Sequence, residues 1–255
     1  MNLIVLLKQT FDTEEKIVIE SGAIAENSVE YIVNPYDEYA IEEAIQLREA
    51  HGGEITVISV GPDRAEAALR TALAMGADKA VLVDDEGLAT DEYSTALILA
   101  EVLREREYDI ILGGNLSIDN GSGQIGPRLA DLLQISQVTT ITKLSIENDR
   151  AVAVRDVEGD SETIEVPLPV VVTAQQGLNE PRYPSLPNIM KAKKKPLERL
   201  TLDDLSIEKE HLRPRTAVVE TFLLPKKEAG RVLAGAVEQQ VQELANLLRT
   251  EANVL

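Results

Sequence analysis

Short apolar runs alternate with longer amphipathic stretches through the first 135 residues of the chain. The apolar runs are bounded by glycine, proline or aspartate, as is typical of strands buried on both faces of a sheet. These predicted strands span residues 3–7, 55–60, 80–83 and 109–114. The predicted helices between them span residues 37–50, 63–75 and 91–107. Because strands and helices of this length alternate, we predict an α/β protein with a doubly wound, mostly parallel sheet.

The pattern changes at residue 138. Residues 138–147 and 151–157 have the alternation of a β-hairpin inserted into the fold, and residues 170–174 predict a further buried strand. Residues 197–225 show no regular period. The pattern therefore predicts no strand or helix there.

A final helix is predicted from about residue 226 to residue 249. Its apolar side chains step by three or four residues and form one stripe: Leu233, Val237, Val241, Leu244 and Leu248. The stripe fits either packing on its own domain or an arm laid on a partner. The long irregular segment before the helix favours the arm.

Composition and charge restrict the class of function. The chain has 255 residues, with 25 basic side chains against 44 acidic ones, and this excess of negative charge argues against general nucleic-acid binding. It has no cysteine, which excludes disulfides and thiol chemistry and fits a reducing compartment. The apolar run at residues 3–7 is too short for a signal sequence or a membrane span. We therefore expect a soluble, intracellular protein.

The sequence contains no recognisable set of catalytic residues. His51 and His211 have no second metal ligand at helical spacing, so we expect neither a histidine metal site nor a catalytic triad. The adjacent acidic pairs at residues 42–43 and 84–85 point to different faces and predict solvated charge. Demanding chemistry would therefore require a cofactor.

Three loops follow predicted strands and should meet at the carboxyl edge of the sheet, where doubly wound proteins bind ligands. In the first loop Asn34 is a predicted helix cap, Pro35 suits the first helical position, and Asp37 stands three residues after the cap. A simple cap explains this loop as well as a ligand site does. The second loop is the turn at residues 60–62, and the third covers residues 113–130.

The third loop predicts a phosphate or nucleotide site. Its glycines, Gly121, Gly123 and Gly126, lie around Asn120 and Ser122 and allow backbone N–H groups to converge at the start of the next helix. The spacing matches neither a dinucleotide fingerprint nor a P-loop. A pyrophosphatase-type ATP site is disfavoured, because no SGGxDS-like loop follows the first strand.

Residues 179–196 read NEPRYPSLPNIMKAKKKP and join four prolines to the densest positive charge of the chain. The segment has no helical or strand period, and its apolar tip is Leu186 beside Pro187. A solvated basic run is one interpretation. A nucleic-acid patch is disfavoured, because Tyr183 is the one aromatic residue among the charges.

Four motifs together resemble the β subunit of electron transfer flavoprotein. They are VNPYDEYAIEEA at residues 33–44, RTALAMGADKA at residues 70–80, IDNGSGQIGP at residues 118–127 and LNEPRYPSLPNIMKAKKKP at residues 178–196. The resemblance covers nearly the whole chain, and the last motif is long and specific.

The resemblance implies a heterodimer with a larger α subunit and an adenine-nucleotide α-hydrolase-like fold. In this family FAD lies mainly on the α subunit at its junction with β, and the β subunit binds a structural AMP. Electrons pass from acyl-CoA dehydrogenases of fatty acid β-oxidation to the flavin and on to a membrane quinone oxidoreductase. The chain would thus be an electron-carrier subunit without substrate turnover, located in the cytoplasm of a bacterium or the mitochondrial matrix of a eukaryote. The implied domains are residues 1–195, which bind the nucleotide, and residues 196–255, an arm on the α subunit.

The same resemblance assigns site residues. The implied AMP contacts are Leu6, Asn34, Pro35, Tyr36, Asp37, Val60, Gly114, Asn115, Asp119, Asn120, Gly121, Ser122, Gly123, Gln124 and Ile125, and Tyr36 is also placed near the flavin. The implied recognition loop is residues 179–196, in which the leucine at position 186 anchors in a pocket of the dehydrogenase. The prolines lower the entropy cost of presenting that leucine. The remaining implied docking residues are Pro187, Lys191 and Lys194. Together with Lys193 and Lys195, these two lysines would orient the encounter electrostatically.

Two other functions stay open at this point. A flavin-bifurcating branch of the family holds a second FAD where AMP is otherwise bound, and the glycine-rich loop does not separate these ligands by its chemistry; we favour AMP. A stand-alone nucleotide-binding stress-type protein of similar fold would not need the residues after 175. An adenylating enzyme is disfavoured, because no catalytic loop is present.

Overall fold

The computed structural model describes residues 1–85, 87, 90–225, 227 and 229–254. The chain forms two compact units, Met1–Glu220 and Thr221–Leu255. The strands are β1 (Asn2–Leu6), β2 (Gln9–Phe11), β3 (Ile19–Glu20), β4 (Ala23–Ile24), β5 (Tyr31–Val33), β6 (Glu54–Val60), β7 (Lys79–Val83), β8 (Ile110–Gly114), β9 (Ser136–Glu147), β10 (Arg150–Val157), β11 (Asp160–Pro167), β12 (Val170–Ala174) and β13 (Leu197–Leu200). The helices are α1 (Pro35–His51), α2 (Glu66–Met75), α3 (Glu92–Arg104), α4 (Ile125–Leu133), α5 (Leu186–Ala192) and α6 (Val237–Thr250).

Within the described residues, nine strands form one sheet in the order β11-β10-β9-β12-β8-β1-β6-β7-β13. The seven strands β9, β12, β8, β1, β6, β7 and β13 pair in parallel in this order. Strands β10 and β11 extend the sheet beyond β9 in antiparallel fashion. Short antiparallel pairings join β2 to β5 and β3 to β4 outside this sheet. The predicted α/β fold with a doubly wound, mostly parallel sheet is confirmed.

Helices cover both faces of the sheet. Successive side chains of a strand point to opposite faces, so β1 contributes Leu3 and Val5 to one core and Ile4 and Leu6 to the other. The first core contains α1 and α2, and the second contains α3 and α4. The chain changes face after β7 and returns to the opposite side of β1 as β8. The strand order therefore reverses between β1 and β8, the point at which this class of fold binds ligands.

Two predictions for the second half of the sheet were incomplete or wrong. The predicted hairpin corresponds to β9 and β10, but β11 adds a third strand beside β10. Residues 197–225 were predicted to be irregular, yet Leu197–Leu200 pairs in parallel with β7 as β13. The four-residue strand β13 is fixed by its pairing with β7, which is distant in the sequence, so the local sequence does not predict it.

Two predictions about helices also need correction. The recognition loop contains α5, because Ser185 caps its start by accepting a hydrogen bond from the N–H of Asn188 at 3.4 Å, and Pro187 fits the first turn. The C-terminal helix begins at Val237 instead of near residue 226. Gly235 has φ +107°, a conformation that a helix does not accommodate. The predicted residues 226 and 228 lie outside the described residues.

Candidate functional site

A cavity of about 350 Å³ opens at the carboxyl ends of β1, β6 and β8. Its apolar wall includes Leu6, Ile58, Val60 and Leu99, and its polar wall comes from the glycine-rich loop and the start of α1. The volume lies in the range of small-molecule sites. The cavity therefore occupies the position that the strand order predicts for a ligand.

Asn34 lies at the cap position of α1 but does not cap the helix with its side chain. Its Nδ2 instead donates to the carbonyl oxygen of Leu116 at 2.9 Å, and its Oδ1 accepts from the N–H of Ile118 at 3.2 Å. The side chain is almost fully buried. Asn34 thus joins the start of α1 to the loop that follows β8, which the simple cap prediction missed.

Asp37 joins the ends of β1 and β8. Its Oδ2 accepts from the N–H of Lys8 at 2.7 Å, and its Oδ1 accepts from the N–H of Gly114 at 2.9 Å. Burial raises the pKa of Asp37 from its ordinary value of 3.8 to about 7, although the N–H donors and Asn34 favour the charged form. A Cβ at Gly114 would lie 2.4 Å from Oδ1 of Asp37, so glycine is required for this approach.

The glycine-rich loop is held by its own polar side chains and by Lys8, whose Nζ donates to Oδ1 of Asp119 at 2.8 Å. Oδ1 of Asn120 accepts from the hydroxyl of Ser117 at 3.0 Å and from the N–H of Ser122 at 3.1 Å. Gly123 has φ +62°, a left-handed conformation that disfavours other residues. The loop is therefore shaped before any ligand arrives.

Helix α4 points its first turn at the cavity, and Gln124, Ile125 and Gly126 line the wall there. A Cβ at Gly126 would lie 2.5 Å from Cγ2 of Thr173 on β12, so this glycine permits close packing of the helix on the sheet. The first N–H groups of a helix have no acceptor within the helix, and the helix dipole favours negative charge there. This end of the cavity is suited to an anion such as phosphate.

A segment near residue 216, which the sequence did not predict as part of the site, completes the cavity wall. Oδ2 of Asp91, at the start of α3, accepts from the N–H groups of Arg215 at 2.6 Å and Thr216 at 2.9 Å. Partial burial raises the pKa of Asp91, but these donors and the N–H of Ser94 outweigh it and hold the pKa well below its usual range. Thr216 and Val218 line the cavity. No local sequence pattern predicts a contact between Asp91 and Thr216, because the two residues are far apart in the sequence.

The cavity brings together most of the predicted AMP contacts. Those that line it are Leu6, Asn34, Asp37, Val60, Gly114, Asn115, Asn120, Ser122, Gly123, Gln124 and Ile125. Pro35, Tyr36, Asp119 and Gly121 are not among the lining residues, although each is adjacent in sequence to one or contacts one. Lining residues that were not predicted include Lys8, Thr90, Asp91, Glu92 and Thr95.

The recognition loop exposes an apolar face. The side chains of Tyr183, Leu186 and Met190 are 96%, 79% and 64% exposed, respectively. Leu186 is the first residue of α5, which places it at the end of a short helix and not in an irregular coil. Three large apolar side chains are thus exposed within the same short segment.

The far end of the recognition loop is fixed to α2. Nη1 of Arg70 donates to the carbonyl oxygens of Ala192 at 3.0 Å and Lys195 at 2.9 Å. Nζ of Lys195 donates to the carbonyl oxygens of Leu73 at 2.9 Å and Ala77 at 2.6 Å. Lys195 is therefore engaged within the fold, and Lys191, Lys193 and Lys194 remain exposed at the surface.

The near end of the recognition loop is fixed to α1, and here the prediction of solvated charge at residues 42–43 was wrong. Glu42 and Glu43 are 3% and 6% exposed. Arg182 binds Glu42 through Nε at 2.8 Å and Nη2 at 2.9 Å, and Nδ2 of Asn179 donates to Oε2 of Glu43 at 2.9 Å. The pair is buried because α1 is covered by this loop, a contact that adjacent acidic residues do not reveal.

The second unit was expected to contain an apolar helix. Within its described part, α6 buries none of its residues, and Val237, Val241 and Leu244 are exposed on one stripe. None of the helices in the described ranges is both long and apolar enough to cross a membrane. Among the same residues, no group of three or more His, Cys, Asp or Glu side chains is placed to hold a metal ion.

Comparison with known proteins agrees with the motifs. The family described as Electron transfer flavoprotein domain matches residues 21–205. The chain is 60% identical to the electron transfer flavoprotein subunit beta of Bacillus subtilis (strain 168), over 100% of both chains. It is 43% identical to the subunit beta of Thermoanaerobacterium thermosaccharolyticum over 98% of each chain, and 37% identical to the mitochondrial subunit beta of Oryza sativa subsp. indica over 100% of each. The chain therefore belongs to the electron transfer flavoprotein family, as a β subunit.

Proposed function

We propose that this β subunit binds AMP in the cavity, helps to hold FAD at the junction with an α subunit, and docks acyl-CoA dehydrogenases through the recognition loop. Electrons then pass to the flavin and on to a quinone oxidoreductase, in the cytoplasm if the source is a bacterium. The subunit acts as a carrier and turns over no substrate of its own. The exposure of Leu186 on a loop fixed at both ends is the observation that carries the docking part.

The shape of the cavity supports AMP as its ligand. The first turn of α4 supplies N–H groups and a favourable dipole for a phosphate. The apolar wall formed by Leu6, Ile58 and Leu99 suits the faces of an adenine ring. A mononucleotide would make both contacts at once, which is why we favour it over a free anion.

The flavin supplies the redox chemistry when it is bound, and the β subunit contributes to its binding through the surface near Tyr36. We propose that, of the predicted arm at residues 196–255, helix α6 packs on the α subunit, because Leu197–Leu200 is part of the central sheet and Thr216 and Val218 line the cavity. The exposed stripe of α6 supports this, because a helix with an apolar face that its own unit leaves uncovered is suited to packing on another chain.

The recognition loop is suited to a short-lived complex. A single apolar anchor in a small contact gives weak binding and fast release, both of which a carrier that serves several donors requires. Exposed Lys191 and Lys194 beside the anchor would attract an acidic surface during the encounter. We propose that Leu186 inserts into a pocket of the donor dehydrogenase and that Pro187 keeps its orientation.

The ligand is tested by denaturing the purified heterodimer and weighing the released nucleotide by mass spectrometry. We expect one AMP per β subunit in addition to the FAD. A second FAD in place of AMP would assign the protein to the flavin-bifurcating branch, and the absence of any adenylate would contradict the nucleotide proposal.

The docking proposal is tested with Leu186→Ala in the heterodimer. Loss of a central apolar anchor should lower kcat/KM for electron transfer from a reduced acyl-CoA dehydrogenase by roughly tenfold or more. The matched control, Leu186→Met, keeps an apolar side chain of similar volume and should retain most of the rate. AMP and FAD contents should not change in either variant. An unchanged rate in Leu186→Ala would contradict the anchor.

A further inference from the structure

Arg182 lies in the part of the recognition loop that contacts helix α1. Its Nε and Nη2 form a two-pronged contact with Glu42, and its Nη1 donates to Oε1 of Glu49 at 2.7 Å. The guanidinium is a rigid planar fork, so two carboxylates on different edges fix its plane as well as its position. Arg182 is thus held by helix α1 from two directions.

The same carboxylate also holds the main chain of the loop. The backbone N–H of Arg182 donates to Oε2 of Glu42 at 3.2 Å. One buried group therefore fixes both the backbone and the side chain of this residue. This is a stronger constraint on chain direction than a side-chain ion pair alone, because the orientation of the next peptide units follows from it.

The exposed tip of the loop lies between Arg182 and helix α5. Tyr183 and Leu186 are highly exposed, and Leu186 begins α5, which packs on α2 and ends at the buried Ala192. Leu186 follows Arg182 by four residues, a span of at most about 14 Å in extended chain. Pro184 stiffens this short connection further. The direction of the exposed leucine is therefore set by Arg182 on one side and by the packing of α5 on α2 on the other.

We propose that Arg182 is a positioning residue for partner docking, which presents Leu186 through its hydrogen bonds to Glu42 and Glu49 without contacting the partner itself. This inference rests on the proposed docking function of the recognition loop. It adds a residue on the loop's inner side to a site whose predicted anchor, Leu186, faces outward.

The test measures electron transfer from a reduced acyl-CoA dehydrogenase to the assembled heterodimer. Arg182→Gln should raise KM for the dehydrogenase roughly tenfold and leave kcat within about twofold, because the loop spends less time in the docking orientation. Arg182→Lys keeps the charge but loses the fork, so its KM should lie between those of the wild type and Arg182→Gln. Amide exchange at residues 183–190 should become faster, while exchange at the cavity stays unchanged.

Two further variants separate positioning from folding and from charge. Arg182→Gln leaves Glu42 buried without its cation, and Arg182→Gln combined with Glu42→Gln removes both charges, so this pair should fold normally and still show the raised KM. Arg104→Gln breaks the ion pair with Glu101 on α3 and changes the net charge equally. It should leave KM unchanged.

A double-mutant cycle with Leu186→Ala decides the proposal. If Arg182 acts through Leu186, Arg182→Gln should change KM by less than twofold once the leucine is gone. An equal increase in both backgrounds would overturn the proposal, and so would an unchanged KM in Arg182→Gln or a joint loss of AMP content and thermal stability in the charge-free pair. If Leu186→Ala itself leaves KM unchanged, the proposed docking function fails instead.

Discussion

Two buried carboxylates on helix α1, five residues apart, contact the two candidate functional regions and differ in their electrostatics. Asp37 faces the cavity and accepts N–H groups of the main chain from β1 and β8, and burial raises its pKa. Glu42 faces the recognition loop; burial also acts to raise its pKa, but the guanidinium of Arg182 outweighs it and lowers the pKa. The same burial thus has opposite electrostatic outcomes, because only Glu42 is in direct contact with a full positive charge.

The cavity and the recognition loop also differ in the interactions that hold them together. The cavity is built by close approach of strand ends and glycines, so its geometry depends on the packing of the whole sheet. The recognition loop is exposed along its middle, and it is fixed by the ion pairs of Arg182 at one end and by hydrogen bonds from Arg70 and Lys195 to backbone carbonyl oxygens at the other. We therefore expect the cavity to be sensitive to added volume and to pH, and the loop to be sensitive to charge and salt.

The largest effect is expected from added volume at the cavity edge. A Cβ at Gly114 would lie 2.6 Å from Cβ of Tyr36 and 2.8 Å from its backbone carbonyl carbon, so Gly114→Ala forces the backbone to shift. We expect a loss of about 3 kcal/mol in the free energy of unfolding. The midpoint of thermal unfolding should fall by about 2–4 °C per kcal/mol.

The neighbouring glycine provides the control for this prediction. A Cβ at Gly113 would lie 3.5 Å from Cβ of Leu6, an ordinary contact, so Gly113→Ala should have little effect. Equal midpoints for the two variants would show that close packing does not govern the cavity edge.

The next effect concerns pH. The pKa of Asp37 is raised to about 7 in the fold, so between about pH 4 and pH 7 the folded state binds a proton that the unfolded state releases. The contribution of Asp37 is therefore fully present below pH 4 and is lost as the pH rises through 7, by at most about 4 kcal/mol. Between pH 4.5 and pH 8 the midpoint of thermal unfolding should therefore fall more steeply with pH in the wild type than in Asp37→Asn.

Glu42 should behave in the opposite sense. Its pKa is lowered, so its ionised form stabilises the fold above its ordinary pKa, and this contribution is lost as the pH falls. Glu42→Gln removes this charge. It should change the pH dependence of the unfolding midpoint in the direction opposite to the change caused by Asp37→Asn. Equal signs for both variants would contradict the contrast between the two carboxylates.

The smallest effect is expected from the exposed lysines. Lys191→Gln combined with Lys194→Gln should reduce the association rate constant with the dehydrogenase severalfold at low ionic strength, and the difference should vanish at high salt. Stopped-flow measurements over a range of salt concentrations would show this. Lys195→Gln is the control, because Lys195 donates to the carbonyl oxygens of Leu73 and Ala77 and should affect the unfolding midpoint instead. A salt-independent change in the double variant would argue against steering.

The hydrophobic periodicity of the sequence was sufficient to predict those strands and helices that each bury an apolar face of their own. The strands around Val5 and Ile111 and the helices between them were predicted for this reason. Periodicity was not sufficient for β13, whose position depends on pairing with β7, or for α5, where a cap and a buried alanine replace an apolar stripe.

The candidate site divides in the same way. Asn34, Asp37 and the glycine-rich loop were predicted because each follows a strand end, and the rule for ligand sites in doubly wound sheets applies to strand ends. Asp91 and Thr216 were missed because they meet through main-chain hydrogen bonds between distant segments. The contact between Glu42 and Arg182 was missed because a buried ion pair has no period in the sequence.

The recognition loop connects β12 to β13, and five strand spacings separate these two strands in the sheet, which amounts to about 24 Å. Both ends of the connection are thus strands of one rigid platform. A flap with a single hinge is attached at one point, whereas this connection is attached to the sheet at both ends. In the proposed docking, a donor that binds the tip is therefore connected through both sides of the loop to the same sheet.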